Sequence, residues 1–459
     1  MWLPRAAGLA LLAAALCACP RQEPSHRVLL VGIDGATFRV ADPLLRAGKL
    51  PNLAALIERG VRAPLLSDEP MYSPALWTTI ATGKGRAKHG IESFTVVPPD
   101  AADPARDQVL VNGNFRRTAA LWNMLTIAGR TVNFVGWWAT WPAEAVAGTM
   151  VSDRTARDRF ADWAADRARP GFRKVHPPEA EAEIGALVTP PQAIDFRELQ
   201  ALASFSEAER ARLAGAQEAI PYDGLSVLKF AHQAQKSYAR IGHYCLRQRP
   251  ADLTAVLLVA TDPVSHCFWH DYEPESFEGV DPEEAARLGG LIPRYYEYVD
   301  GLLGELLAAA GPETTVIVCS DHGFRASGLV AKPYEAQSGE HDLHGLFVAA
   351  GPAIRRGAEP REPRIFDIAP TLLAILGLPI ARDFDGRVLR EILAPDVLED
   401  APAPIESWDR LWRRTEPEAA AAGGADEAFL EELRVLGYLG AAGGPGSPAG
   451  PGAARRPEP

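Results

Sequence analysis

Short apolar runs that end at an aspartate are the most informative pattern in this chain. The runs are rich in β-branched residues, a composition typical of buried parallel strands. In open α/β sheets, ligands bind just outside the carboxyl ends of the strands. Carboxylates gathered at that edge would repel one another unless a cation held them. The runs are residues 27–33, 254–261 and 315–320, and the aspartates that follow them are Asp34, Asp262 and Asp321.

Histidines lie close to two of these aspartates. His322 follows Asp321 directly, His266 stands four residues after Asp262, and we expect His341 in a later loop. Two histidines and two or more carboxylates suit zinc, with manganese and iron as alternatives. The competing interpretation is that each aspartate caps a helix and each histidine is a surface loop residue. A single pair would not decide between them, but placement after three separate strands favours a metal centre.

The rest of the pattern predicts an α/β fold with a central, mostly parallel sheet flanked by helices. Strands and helices alternate over residues 27–153 and again over 252–395, whereas 154–250 is rich in Ala, Arg and Glu and helical in period. We expect this middle stretch to be a helical cap insertion in a catalytic domain spanning 26–395. Pro, Ala and Gly dominate from about residue 400, which predicts a partly disordered tail over 400–459. Individual predictions are helices over 51–60, 73–82, 119–128 and 225–248 and a strand over 131–135.

The first residues have the composition of a targeting segment. Arg5 precedes a short apolar stretch, 6–15, which is too short to cross a bilayer. Residues 16–19 resemble a bacterial lipobox ending at Cys19, and plain signal cleavage is the alternative. We therefore expect 1–19 to be removed and the protein to be exported, either periplasmic or anchored in the membrane as a lipoprotein through Cys19.

Charge and cysteine content narrow the function further. The chain has 459 residues and a formal net charge of −12, which argues against binding a nucleic-acid polymer or an anionic membrane surface. Three cysteines remain after residue 19, an odd number that does not suit a full disulfide framework.

Ser73 is the candidate nucleophile. Pro74 follows it, a pair typical of a helix N-cap with proline at the first helical position. A hydroxyl there lies at the positive end of the helix dipole, and beside a divalent cation it can ionise and attack phosphorus. Thr78 and Thr79 are competing hydroxyls, but they fall inside the predicted helix.

Six segments together resemble the alkaline phosphatase superfamily, on the branch of type I phosphodiesterases and nucleotide pyrophosphatases. They occur in the family's order and frame most of the span from 27 to 395. The segments are residues 28–38, 73–91, 261–270, 316–324, 339–352 and 365–379. The resemblance implies an alkaline phosphatase-like fold and two divalent metal ions, most often Zn²⁺. One metal set would be Asp262, His266 and His341, and the other Asp34, Asp321 and His322 with the Ser73 oxygen.

Three positions depart from the family pattern or leave it open. His344 is a rival to His341 as a ligand, although His341 fits the family spacing better. Nucleotide pyrophosphatases carry an asparagine that bonds a phosphoryl oxygen where this chain has Phe94, which weakens the inference to a nucleotide substrate. The family usually has threonine as nucleophile, where this chain has Ser73.

The resemblance implies a phosphoester hydrolase that forms a phosphoryl-enzyme, with phosphodiesterase the leading hypothesis. A phosphomonoesterase, a head-group phosphotransferase and a non-catalytic binding protein on the same fold are the alternatives. A sulfatase fits less well, because the residues after Ser73 lack the spacing of a formylglycine precursor. The expected substrate is a small phosphoester or a lipid or glycan head group, contacted by Phe94, Trp137, Trp138 and Trp141. Packing beneath the cap is the competing role for the tryptophans.

Overall fold

The computed structural model describes residues 26–97, 108–157, 173–214, 216, 223–328, 338–399 and 401–413. Twelve strands lie in these ranges, eight of them in one central sheet. In chain order the strands are β1 (Arg27–Ile33), β2 (Gly60–Leu66), β3 (Thr95–Val96), β4 (Val109–Leu110), β5 (Val132–Val135), β6 (Gly148–Val151), β7 (Val175–His176), β8 (Leu253–Leu258), β9 (Thr314–Cys319), β10 (Gly323–Ala326), β11 (Gly339–Asp342) and β12 (His344–Ala350).

The central sheet has the strand order β2-β12-β9-β1-β8-β5-β6-β7. Its inner strands β9, β1, β8, β5 and β6 run parallel, while β12 and β7 are antiparallel to their neighbours. The strands β1, β8 and β9 are almost wholly buried, as expected for parallel strands covered on both faces. The predicted mostly parallel sheet is therefore confirmed. The pairs β3–β4 and β10–β11 form two small antiparallel sheets.

Helices cover the sheet, and their predicted positions hold to within a few residues. The helix α3 is buried along its whole length and ends at Gly83, whose φ of 65° suits a glycine C-cap. In chain order the helices are α1 (Phe38–Arg46), α2 (Pro51–Arg59), α3 (Ser73–Thr82), α4 (Arg86–His89), α5 (Leu121–Ile127), α6 (Arg154–Arg157), α7 (Glu181–Gly185), α8 (Phe196–Leu202), α9 (Glu207–Ala214), α10 (Gly224–Gln248), α11 (Thr261–Tyr272), α12 (Pro282–Leu288), α13 (Leu291–Ala310), α14 (Ile368–Ile375) and α15 (Pro395–Glu399). Short 3-10 turns occur at Gly113–Phe115, Pro178–Ala180, Pro191–Ala193, Pro274–Ser276, Ile365–Asp367 and Arg390–Ile392.

The stretch predicted as a helical cap is partly joined to the main sheet. Its strand β7 pairs antiparallel with β6 at the sheet edge, and its last helix, α10, packs against β8 and α13. The described part of the stretch is otherwise helical, from α6 to α10. Residues 158–172, 215 and 217–222 of the predicted cap lie outside the described residues.

The packed domain reaches beyond residue 395, where the sequence predicted its end. Trp408 is fully buried and its indole N–H donates to the carbonyl of Pro379 at 3.2 Å. The adjacent Asp409 accepts a hydrogen bond from the Lys84 ammonium at 2.7 Å. Residues 401–413 are therefore part of the folded unit. The predicted signal segment 1–19 with Cys19, and the tail from 414 to 459, lie outside the described residues.

A search of the described helices for one that is both long and apolar enough to cross a membrane found none.

Candidate metal centre

The parallel strands bring the three aspartates to one edge of the sheet. Strand β1 lies between β8 and β9, with Gly32 in register with both Leu257 and Cys319. Asp34 follows the end of β1 directly, and Asp321 lies two residues beyond the end of β9. The strand β8 ends earlier than predicted, at Leu258, so Asp262 lies in the first turn of α11 instead.

The three histidines reach the same place from different elements. His266 is one turn after Asp262 on α11, and His322 lies between β9 and β10. His341 was predicted in a loop but lies on strand β11, which pairs antiparallel with β10. Its rival His344 is exposed, and its backbone N–H donates to the Asp342 carboxylate at 3.1 Å. The structure thus gathers all six predicted aspartates and histidines and leaves His344 outside.

Every histidine in the cluster is oriented by a backbone carbonyl. The Nδ1 of His266 lies 2.8 Å from the carbonyl oxygen of Gly339, and the Nδ1 of His322 lies 3.0 Å from that of Gly323. The Nδ1 of His341 lies 2.9 Å from the Met71 carbonyl. A carbonyl oxygen only accepts, so each Nδ1 carries the proton and donates it. Each Nε2 is then the atom free to bind a cation, the arrangement usual for metal-bound histidine.

These Nε2 atoms converge on the carboxylates and on each other. The Nε2 atoms of His266 and His341 are 2.9 Å apart, and each lies within 3.4 Å of Oδ1 of Asp262. Burial lowers the pKa of His341, so its Nε2 carries a lone pair. Two such nitrogens facing each other suit a shared cation. Within the described residues, Nε2 of His322 and Oδ2 of Asp321 are buried without a hydrogen-bonding partner, which supports the same interpretation.

The aspartates cannot all stay ionised without added positive charge. Burial and the nearby Asp34 and Asp262 carboxylates raise the pKa of Asp321 well above its usual value. Burial also opposes ionisation of Asp262, but protonated His266 and His341 outweigh it and hold its pKa well below the usual range, a role that a bound cation would take over from them. The repulsion is therefore concentrated on Asp321, and a divalent cation beside it would relieve it.

Two groups of ligand atoms result, and His322 contributes to both. One contains Asp34, Asp321 and His322, which is the predicted set without the serine. The other contains Asp262, His341 and His322, where His266 was predicted in place of His322. His322 is central because its Nε2 lies 3.5 Å from both Asp262 and Asp321. His266 still lies in contact with the second group through Asp262 and His341. The residues present therefore fit divalent metal binding with mixed oxygen and nitrogen ligands.

Ser73 lies beside the first group. Its hydroxyl donates to Oδ1 of Asp34 at 3.4 Å, and only 2% of the residue is exposed. The N-cap prediction was wrong by one residue, because Tyr72 occupies the N-cap position and Ser73 is the first residue of α3. The serine hydroxyl is consequently directed at Asp34. The rival hydroxyls of Thr78 and Thr79 donate to backbone carbonyls within the helix.

The four aromatic residues predicted to contact substrate are all buried. Trp137 is fully enclosed and its indole N–H donates to the carbonyl of Trp77 at 2.9 Å. Trp141 lies under the guanidinium of Arg154, 4.0 Å from the ring centroid. Trp138 behaves differently, because its indole N–H donates to Oδ2 of Asp34 at 3.1 Å. Phe94 packs edge-to-face on Trp138, at 5.5 Å between ring centroids. Substrate contact by these four residues stays a prediction.

The basic residues after α3 are occupied by local partners. The Lys84 ammonium is 1% exposed and donates to Asp383 and Asp409, at 2.7 Å each. Lys88 pairs with Asp385 at 2.5 Å. Burial, reinforced by nearby arginines, lowers the pKa of His89 to about 3, so this histidine is a neutral part of the core.

The groups that orient the histidines could not be predicted from the sequence. They are backbone carbonyls of Met71, Gly323 and Gly339, and a carbonyl gives no side-chain signal. The Trp138 hydrogen bond was missed for another reason. An indole next to other tryptophans indicates packing or stacking before it indicates a bond to a carboxylate.

Several solved structures are similar to this one at low sequence identity. A phosphonoacetate hydrolase from Sinorhizobium meliloti, in complex with phosphonoformate, is 19% identical over 66% of this chain, with a TM-score of 0.40. The match spans 57% of that hydrolase's length. Human ectonucleotide pyrophosphatase/phosphodiesterase 5 is 13% identical over 80% of this chain and 100% of its own, with a TM-score of 0.46. An inactive form of the murine protein in complex with AMP is also 13% identical over the same shares, with a TM-score of 0.48.

The sequence itself matches a family over most of its length. Residues 28–343 match the family described as type I phosphodiesterase / nucleotide pyrophosphatase. The match contains all seven candidate site residues, from Asp34 to His341, and it confirms the family that the six segments suggested. That family description names the class of enzyme that the sequence predicted. This chain belongs to the type I phosphodiesterase / nucleotide pyrophosphatase family.

Proposed function

We propose that this protein is a phosphoester hydrolase, and most specifically a phosphodiesterase, that uses Ser73 as its nucleophile and two divalent cations, with zinc the preferred metal. One observation carries the proposal. Three histidines that each donate Nδ1–H to a backbone carbonyl direct their Nε2 atoms at three buried aspartates, next to a serine hydroxyl. No purely structural need explains buried carboxylates without a matching cation.

The candidate ligands divide into the two predicted sets. Asp262, His266 and His341 would hold one cation, and Asp34, Asp321 and His322, with the oxygen of Ser73, would hold the other. When bound, such cations supply positive charge that lowers the pKa of a nearby hydroxyl and neutralises a phosphoryl group. Oxygen and imidazole ligands of this kind suit zinc, with manganese and iron as alternatives.

The chain's own residues account for the nucleophile. Ser73 Oγ lies in the first turn of the ten-residue helix α3, where the dipole favours negative charge on oxygen. Asp34 accepts its hydroxyl proton in a hydrogen bond, which fixes the direction of the lone pairs. Attack in line forms a Ser73 Oγ–P bond while the bond to the leaving alcohol breaks. The proton lost from Ser73 leaves with the alcohol, and water then cleaves the Ser73 Oγ–P bond, restoring the serine hydroxyl and releasing a phosphomonoester from a diester or phosphate from a monoester.

Phe94 bears on the choice of substrate. It is 2% exposed and packs between Tyr72 and Trp138, so it offers no polar group to a phosphoryl oxygen. This observation favours a substrate other than a nucleotide and keeps a phosphomonoesterase or a head-group phosphotransferase as the second candidate.

The test compares hydrolysis of bis-p-nitrophenyl phosphate and p-nitrophenyl phosphate with added zinc, for the wild type and Ser73→Ala. We expect diester cleavage that falls on the order of 10³-fold or more in the variant, because the nucleophile is gone. Ser237→Ala is the matched control, since Ser237 is a buried serine on α10 whose hydroxyl donates to the Gln233 carbonyl.

Each other outcome has a distinct meaning. Equal activity of Ser73→Ala and Ser237→Ala would remove Ser73 as nucleophile. Preference for the monoester would convert the proposal to a phosphatase. Absence of both activities in protein that holds two metal ions would favour the head-group substrate or the binding role.

We also propose that the protein is exported, with Cys19 lipidated. The support is the lipobox-like sequence alone. Incorporation of radiolabelled palmitate into the wild type but not into Cys19→Ala would test it, and equal incorporation would contradict it.

A further inference from the structure

Asp34 differs from the other aspartates in what holds it. Its Oδ2 accepts a hydrogen bond from the indole N–H of Trp138 at 3.1 Å. Its Oδ1 faces the reactive side, 3.4 Å from Ser73 Oγ and 3.7 Å from Nε2 of His322. We propose that Trp138 is a positioning residue, which reserves one oxygen of Asp34 for a cation and the serine by occupying the other. This inference rests on the proposed function and deepens it.

The turn that carries Trp138 is held rigidly. The carboxylate of Asp153 accepts the backbone N–H groups of Ala139 and Trp141, each at 3.0 Å. The hydroxyl of Thr140 donates to the carbonyl of Trp137 at 2.5 Å. The carbonyl of Asp153 in turn accepts from Tyr238 on α10 at 2.5 Å. Asp153 therefore ties the turn together and anchors it to a long helix.

The backbone next to Trp138 is in an uncommon conformation. Ala139 has a φ of 55°, in the left-handed region that non-glycine residues rarely adopt. Such a conformation is strained and persists only where the surroundings impose it. The two Asp153 hydrogen bonds on either side of Thr140 impose it here. Strain of this kind adjacent to a group that contacts Asp34 is consistent with a positioning role.

Aromatic neighbours restrict the indole ring itself. Phe94 packs edge-to-face on Trp138 at 5.5 Å, and Tyr72 packs edge-to-face on Phe94 at 6.0 Å. Tyr72 directly precedes Ser73, so the aromatic chain connects the indole with the start of α3. The ring has little room to swing, and its N–H stays directed at Asp34. Phe94 acquires a function in this arrangement that differs from the predicted contact with substrate.

A residue that hydrogen-bonds a metal ligand usually acts by raising the affinity of the site for the metal. Its loss typically lowers metal affinity or activity by about 10- to 100-fold, because the ligand loses its preferred direction. Since Trp138 contacts Asp34 and not Asp262, the effect should fall on one cation of the two. A role in packing alone would change stability and leave the metals equally bound.

The experiment replaces Trp138 with phenylalanine, which keeps an apolar ring and removes the N–H. Zinc affinity is measured by competition with a chromogenic chelator of known affinity. We expect one zinc to bind about 10- to 100-fold more weakly and the second to bind as in the wild type. At saturating zinc we expect a lower kcat with KM little changed.

Trp122→Phe is the matched control. Trp122 is a buried tryptophan whose indole also donates to a carboxylate, that of Glu144 at 2.9 Å, but Glu144 is not a candidate ligand. The proposal predicts unchanged zinc affinity for this control. A double variant sharpens the result, because in the Asp34→Asn background Trp138→Phe should cost nothing further. Zinc affinities of Trp138→Phe and Trp122→Phe within twofold of each other would overturn the proposal.

Two further arms keep the test decisive. If Trp138→Phe does not fold, Asp153→Asn is the second variant, because it weakens the same turn. We expect its zinc affinity at the site that contains Asp34 to fall several-fold. An unchanged zinc affinity in that variant would overturn the proposal. Because affinity is measured without substrate, wild-type protein that binds two zinc ions and cleaves no phosphoester would count against the proposed function alone.

Discussion

Partly buried Glu144 and fully buried Asp34 are two carboxylates that each accept a hydrogen bond from a tryptophan, yet their surroundings differ in charge. Glu144 accepts from Trp122 and Asn123 at 2.9 Å and from the Arg116 guanidinium at 2.5 Å. Burial opposes its ionisation, but the charge of Arg116 outweighs this and lowers the pKa of Glu144. The chain therefore supplies both the hydrogen-bond donors and the countercharge of this carboxylate.

The environment of Asp34 has the opposite charge. Its closest ionisable neighbours include Asp321, which has no cationic side chain beside it among the described residues and whose pKa is raised. The same chemical group, with the same kind of indole donor, has a cationic neighbour in one place and an acidic neighbour in the other. The difference teaches that burial of charge does not by itself mark a functional site. What marks it is charge that the folded chain leaves uncompensated.

The largest predicted effect comes from removing metal. Exhaustive treatment with a strong chelator should lower phosphoester hydrolysis by roughly 10³-fold or more, because Ser73 then lacks the charge that ionises it. The thermal midpoint should fall as well, since a ligand at 100 times its Kd stabilises the folded state by about 2.7 kcal/mol. Initial rates and differential scanning fluorimetry, before and after zinc is restored, measure both. Identical melting of treated and untreated protein would show that the Asp34 edge needs no cation.

Glu144→Gln should destabilise the protein by about 3 to 5 kcal/mol, because Arg116 is left buried without its countercharge. Urea denaturation followed by tryptophan fluorescence measures the change. The zinc stoichiometry of the folded variant should equal that of the wild type. A loss below about 1 kcal/mol would remove the contrast between the two carboxylates, since surface pairs have that value.

Asp321→Asn should stabilise the metal-free protein, whereas Glu144→Gln should destabilise it. Removing one of the three repelling charges should raise the free energy of unfolding by roughly 2 kcal/mol. The same change should remove the part of the zinc stabilisation that comes from the cation held by Asp34, Asp321 and His322. Thermal melts with and without zinc give both numbers. Destabilisation of the metal-free variant would contradict the idea that the edge is under electrostatic strain.

Asp271 extends the comparison to a buried carboxylate whose nearest basic group is the Nε2 of His270, 3.5 Å from its Oδ2. It is 3% exposed, and neither oxygen accepts a hydrogen bond from a described residue. Burial, then the nearby Glu284 and Asp281, raise its pKa to about 7. The folded state therefore holds the proton more tightly than the unfolded state. Stability is lost as pH rises towards 7, and the loss stays constant above that pH.

Asp271→Asn should remove this loss. We expect the variant to gain roughly 1 to 2 kcal/mol over the wild type between pH 5 and pH 8, given 1.36 kcal/mol for each pKa unit. Urea denaturation at several pH values between these limits measures it. A gain that does not vary with pH would show that the carboxylate is not the titrating group.

The sequence predicted the parts of this molecule that depend on local patterns. Apolar runs that end at Asp34 and Asp321 mark strand ends, and the spacing of Asp262 and His266 places them one turn apart on a helix. The order of the strands at the β2 edge of the sheet could not be predicted from such local patterns. Gly60 pairs with Ala350 across nearly the whole domain, and no local feature of β2 specifies so distant a partner. The prediction that His341 lies in a loop was wrong because β11 is short and polar, so its sequence does not show the pattern of a strand.

The ion pair between Lys84 and Asp409 has a consequence for folding during synthesis of the chain. Lys84 directly follows the glycine that ends α3, and its buried ammonium is neutralised by Asp383 and Asp409. A ribosome delivers Ser73 and every candidate ligand before it delivers residue 409. Until then, the lysine next to the nucleophile helix lacks one of its two countercharges. We therefore expect the finished site to appear only after residue 409 has been made, so that a chain truncated before it carries every candidate catalytic residue and little of the activity.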